Sequence, residues 1–84
     1  MQLTGTESKI VQINGEETTI VRDVVLRLGQ VAIIGEWPDT MIRVILYDDG
    51  VPYGAYDIPM GPVGEEEILK SVLAQGDLPG FVFE

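Results

Sequence analysis

The chain has 84 residues, with five lysines and arginines against fourteen aspartates and glutamates and neither histidine nor cysteine. A chain this short makes one domain, residues 1–84, that buries only about 60–65% of the surface its unfolded form exposes. Without imidazole or thiol it has no Ser-His-Asp triad, thiol nucleophile, disulfide or zinc site of the usual ligands, and no apolar run approaches the roughly 18 residues of a membrane span.

At the start, Met1-Gln2-Leu3-Thr4-Gly5-Thr6 shows neither a basic segment nor an apolar core, so no signal peptide is expected, and residues 1–7 are candidates for a disordered N-terminus. The cysteine-free composition fits a reducing, cytoplasmic setting. Ser8 to Asn14, "SKIVQIN", alternates polar with apolar residues and is followed by Gly15, which predicts a strand closed by a tight turn. Thr18 to Leu28, "TTIVRDVVLRL", fits two periods. Ile20, Val21, Val24, Val25 and Leu28 fall at helical spacing with Gly29 as a C-cap, whereas the β-branched content and the alternation of Ile20, Val24, Leu26 and Leu28 favour a strand, which is the reading adopted.

Residues 11–29, "VQINGEETTIVRDVVLRLG", resemble the opening of the ubiquitin-like sulfur-carrier proteins, in which a strand ending in Asn-Gly-Glu leads to an amphipathic helix. The resemblance implies a helix after Glu17. Those carriers share a C-terminal Gly-Gly that is activated and thiolated; this chain ends in Phe-Val-Phe-Glu, so the carrier chemistry is not implied.

Gln30 to Trp37, "QVAIIGEW", reads as a separate short strand, with Gly35 marking a bulge or a close backbone approach and Trp37 expected in the core. After Pro38-Asp39-Thr40, the segment Met41 to Tyr47 is the strongest strand, with Ile42, Val44 and Leu46 on one face. Asp48-Asp49-Gly50 predicts a hairpin turn, and Val51 to Ile58 returns antiparallel, confined by Pro52 to an edge or to a bulge beside the turn. Glu65 to Gln75 is the clearest helix: Ile68, Leu69, Val72 and Leu73 form its apolar stripe, Glu66 and Lys70 stand four apart, and Gly76 sits at the C-cap. The terminal Phe81-Val82-Phe83 either completes the chain's own sheet or offers an edge to another chain. The expected class is therefore α+β: a small antiparallel sheet or partly open barrel of about five strands with one C-terminal amphipathic helix packed on it.

Charge is uneven along the chain. Residues 1–47 carry six acids and four bases, net −2, and residues 48–84 carry eight acids and one base, net −7. Such a surface repels phosphate backbones, so direct nucleic-acid binding is not expected, while basic proteins are attracted to it. Calcium needs about six to eight oxygens converging from alternating loop positions, which Asp48-Asp49-Gly50 does not supply; no metal or other cofactor is expected. Glycines fall in no phosphate-loop pattern, and a carboxylate pair alone would need a cleft that a small sheet hardly provides, so enzyme activity is not expected.

What remains is contact chemistry. Tyr47, Tyr53 and Tyr56 crowd one hairpin with Asp48, Asp49 and Asp57, where they either stabilise the hairpin by cross-strand pairing or present a stiff amphipathic surface. With Glu65, Glu66, Phe81 and Phe83 these are the candidate partner-binding residues. The expected function is a small acidic protein–protein interaction or assembly module, a homodimer or a subunit of a larger complex. The alternative is a virus-encoded acidic inhibitor that blocks a nucleic-acid-binding protein by mimicking phosphate charge. It requires Asp48, Asp49, Asp57 and Glu65 to Glu67 to share one face.

Overall fold

The computed structural model describes all residues, Met1–Glu84. Strands β1 (Leu3–Ile13), β2 (Glu16–Ile34), β3 (Met41–Asp48) and β4 (Val51–Pro59) are followed by helix α1 (Glu65–Ala74) and a two-residue strand β5 (Val82–Phe83). They form one antiparallel sheet in the order β4-β3-β2-β1-β5, with a single short helix. The sheet is open, with β4 and β5 as its two edges, and does not close into a barrel. The helix lies between β4 and β5, and no helix is long and apolar enough to cross a membrane.

Both hairpin turns follow from local chemistry. Asn14 and Gly15 take φ of 52° and 81°, and Asp49 and Gly50 take 49° and 80°, the left-handed pair that lets a two-residue turn match the strand twist. Beside the second turn the register slips between Leu46 and Tyr47, leaving Tyr53 as the extra residue next to Pro52. At Gly35 a Cβ would lie 2.9 Å from the Asp39 carbonyl oxygen, so the close backbone approach is the reason for glycine there.

Strand β2 is the main departure from expectation. The two segments read as separate strands are one, nineteen residues long, and no helix follows Glu17. Its register against β3 shifts between Leu28 and Gln30, so Gly29 is a bulge inside the strand. The bulge also flips the alternation: Val24 and Leu26 face the core before it, while Val31 pairs with Val44 and Ile33 with Ile42 after it. That phase change falls between the two segments, so one alternation does not run through both. The N-terminal residues are likewise part of the fold, since β1 begins at Leu3 and Leu3 is fully buried.

The core is wholly apolar and lies on one face of the sheet, here called the front. Leu3, Val24, Leu26, Ile42, Val44, Leu46 and Ile58 meet Ile68, Leu69 and Val72 of α1, with Leu78 beyond the helix. Because β4 and β5 are opposite edges, the segment joining them must cross the sheet, carrying α1 over the front. A ten-residue helix is about 15 Å long. Five strands span roughly 19 Å across, so α1 matches the width of the sheet. It cannot cover its length: β2 alone is nineteen residues, and the molecule extends 54 × 26 × 22 Å.

Both ends of β2 therefore run out past the helix. At one end Val31 and Ile33 are exposed, and Trp37, expected in the core, is 88% exposed because the chain turns there beyond the reach of α1. At the other end, β3 pairs with β2 only from Leu26 to Ile34, and β5 pairs with β1 only at Leu3 and Thr4. Glu7–Ile13 and Glu16–Arg22 consequently project as a two-stranded arm, held at its base by side-chain bonds from Glu7 and Arg22 and with no strand or helix beside or above it from Ser8 to Val21.

Candidate partner-binding surface

The ten residues singled out from sequence do not all share one surface, although Asp48 and Tyr53 join one clamp and Tyr53 meets Phe81. Tyr47 is on the back of the sheet, its ring over Gly29, where a Cβ would lie 2.1 Å from the ring. Tyr56 is half-buried on the front with its hydroxyl end above Gly54. Burial raises its pKa first, and the Asp77 charge adds to that. Phe81 packs on Gly5 and stands 6.5 Å from the Tyr53 ring, while Phe83 is half-buried beneath the Lys70 ammonium at 5.1 Å. Phe83 thus completes the chain's own sheet, together with Val82 and the paired backbones of Gln2 and Glu84, and Phe81 packs on its front. Each of these five rings packs against another part of the same chain.

The acids are divided in the same way. Asp57 is on the back and accepts two hydrogen bonds from Arg43, at 2.9 and 3.1 Å, which hold its carboxyl below the usual range. Glu65 and Glu66 are exposed in the first turn of α1, over the front, with Glu66 3.7 Å from Lys70 and Glu67 accepting from the Val63 N–H at 2.9 Å. Asp49 is in the turn and Asp48 faces the front, bonded to Arg22 at 2.9 Å. The single acidic face that phosphate mimicry requires is not formed. No group of three acidic side chains is placed to hold a metal ion.

Of the four residues that anchor the arm, sequence reasoning named Asp48 and Tyr53 as candidates and missed Glu7 and Arg22. Arg22 Nε donates to Glu7 Oε1 at 2.7 Å, its Nη2 donates to Asp48 Oδ2 at 2.9 Å, and the Tyr53 hydroxyl donates to Glu7 Oε2 at 3.0 Å. This clamp joins β1, β2, β3 and β4 where the covered core ends. Its signal was present: counted back equally from Asn14-Gly15, Glu7 and Arg22 are directly opposite. The Arg22 bond, then the Tyr53 bond, lowers the Glu7 pKa; Arg22 is raised in return, first by Glu7 and then by Asp48. Tyr53 is raised mainly by burial and next by Glu7.

A pH dependence follows from the sign of the Glu7 shift. A carboxyl whose folded pKa is depressed stabilises the fold above its unfolded value, and the contribution is lost as pH falls through the folded one. An NMR titration is expected to show Glu7 titrating below an ordinary glutamate, with the arm amides loosening as it protonates. Tyr53→Phe should move the Glu7 midpoint back upward. An ordinary Glu7 midpoint in the unsubstituted protein would mean that the clamp is not formed.

Beyond the clamp the arm carries apolar side chains on both sides, among polar and charged ones. Ile10, 68% exposed, and Val21, 60% exposed, lie diagonally together on the back, while Val11, Ile13 and Ile20 line the front. Each cluster follows from the alternation of two strands around one register. Along the arm both strand edges also lack a neighbour, so each carries unpaired backbone groups. Compared with known proteins, the chain matches no family model, no curated protein and no solved structure.

Proposed function

We propose that this protein is a non-catalytic protein–protein assembly module whose working surface is the β1–β2 arm. One observation carries this reading: a two-stranded ribbon with exposed apolar side chains on both faces, set among polar and charged ones, and unpaired on both edges, projects from a body whose own core it does not help to fill. A lone hairpin is marginally stable in water, and exposed apolar side chains on both of its faces are stabilised when a partner covers them. Binding a partner supplies both cover and edge pairing, through the strand-addition mode of recognition. The acidic body, with its charges split between faces and partly paired to Arg22, Arg43 and Lys70, keeps the module soluble.

The test is excision of the arm. Glu7 and Arg22 are the same kind of opposed pair as Ile13 and Glu16, so replacing Ser8–Val21 with Asn-Gly should close a new two-residue turn. Circular dichroism and urea unfolding should show an intact body, because every core residue is retained. Sedimentation and capture from lysate should show association lost. An arm-less protein that associates as before would remove the arm from the account, and Trp37→Ser would then test the exposed patch at the opposite end.

A further inference from the structure

The arm's edge chemistry identifies what it binds. In a hairpin with a two-residue turn, the residues flanking the turn exchange both backbone hydrogen bonds, and bonded pairs then alternate with non-bonded ones. Ile13↔Glu16, Val11↔Thr18 and Lys9↔Ile20 are therefore the bonded pairs of the arm. It follows that Glu17, Thr19, Val21 and Asp23 of β2 turn their N–H and C=O groups outward, to an edge with no neighbour before Leu26. Thr18 to Val21 form an uncharged, wholly β-branched run without proline or glycine, flanked on the same edge by the charged Glu16, Glu17 and Arg22; on β1 the corresponding edge carries Lys9.

We propose that this β2 edge pairs with the same edge of a second copy, antiparallel about a two-fold axis at Thr19. The inference rests on the arm being the working surface, and it adds the partner and the register. Outward-facing groups must meet outward-facing groups, which places the axis on a residue and not between two. Among even positions, an axis at Ile20 opposes Glu17 to Asp23, and one at Thr18 sets Glu16 opposite Ile20 and forms no opposite-charge pair. An axis at Glu17 or Asp23 would set two like carboxylates directly opposite, which is destabilising. An axis at Val21 would carry Glu16 of the second copy onto Leu26, where Asp48 already occupies the edge. An axis at Thr19 avoids both. It places Glu17 opposite Val21 and Glu16 opposite Arg22 of the other copy, and symmetry repeats each pairing.

Charge favours the same partner. Residues 7–22 carry three acids and two bases, net −1, so the remainder of the chain holds −8. Antiparallel overlap of near-neutral arms leaves the two acidic bodies roughly 30 Å apart. That is well beyond the screening length of about 8 Å at physiological salt.

Amide exchange across a protein concentration series tests the register, with sedimentation giving the dissociation constant. Thr18 and Ile20 amides should be slowed at every concentration by the hairpin itself, whereas Thr19 and Val21 amides should slow only as concentration rises. Thr19→Pro removes an outward donor without touching a hairpin bond and should raise the dissociation constant at least tenfold, while Ile10→Pro on the opposite edge should leave it unchanged. Gained protection at Ser8, Ile10 and Gln12 in place of Thr19 and Val21 would overturn the proposal, as would a monomer at all concentrations. In that last case loss of lysate capture on arm excision would still support the assembly reading with a different partner. Unaltered capture would end both.

Discussion

Leu46→Ala is expected to lower the unfolding free energy by about 3 kcal/mol, within the range for leucine truncations in packed cores. Leu46 is fully buried on the central part of the front face, among Leu26, Val44 and Leu69, all with no exposed surface. Only eleven of 84 residues are buried, so the whole domain draws on a small core. Typical stabilities per residue give a chain of this length roughly 4–12 kcal/mol, and a core this sparse belongs at the lower end. The substitution should therefore remove much of the stability and lower the melting temperature by roughly 10–25 °C. Ile10→Ala, on the arm, should change the monomer by no more than about 0.5 kcal/mol. Urea unfolding at a concentration that keeps the protein monomeric compares the two. Equal losses would mean that the arm is part of the core and not an appendage to it.

Gly29→Val should cost about 2 kcal/mol, through overpacking on a face that is otherwise open. A Cβ at this position would lie 2.1 and 2.2 Å from two carbons of the Tyr47 ring, so the ring must leave its place over the bulge. Tyr47 is directly opposite Arg27 and close to the point where β2 slips register against β3, and its ring covers backbone that glycine would otherwise leave bare. Truncating the ring removes the clash, so Tyr47→Ala combined with Gly29→Val should cost less than the two single losses added together. A double-mutant cycle measures that coupling, expected at about 1 kcal/mol or more. Strict additivity would show that the valine acts on the bulge itself and not through the ring.

How far the fold was legible varies with the range of the interactions involved. The turns at Asn14-Gly15 and Asp49-Gly50, the strand Met41–Asp48 and the helix with its Glu66–Lys70 pair depend on a few adjacent residues, and the structure has them where the periodicity and turn chemistry place them. Strand β2 was cut in two because Gly29 is punctuation in a linear reading. In the sheet it is a bulge that β3 accommodates by a shift of register. Leu3 and Trp37 exchanged their expected roles for a related reason. Neither residue's character distinguishes the part of a strand under α1 from the part beyond it, so Leu3 is buried and Trp37 bare.

The candidate surface was less legible. Tyrosines and aspartates gathered around one hairpin suggested a patch, but successive strand residues point to opposite faces, and the cluster divides between front and back. The arm gave only a faint signal, since Ile10, Ile13, Ile20 and Val21 resemble ordinary core residues of an alternating strand.

From the sequence alone came the absence of imidazole and thiol, the net charge and its asymmetry, the antiparallel pairing of strands around tight turns and the existence of one helix. Composition and near-neighbour geometry suffice for these. Only the tertiary structure decided which apolar residues are covered, because coverage depends on the length of a ten-residue helix laid across strands that outrun it. The clamp of Glu7, Arg22, Asp48 and Tyr53, and the bare arm beyond it, exist where that cover stops.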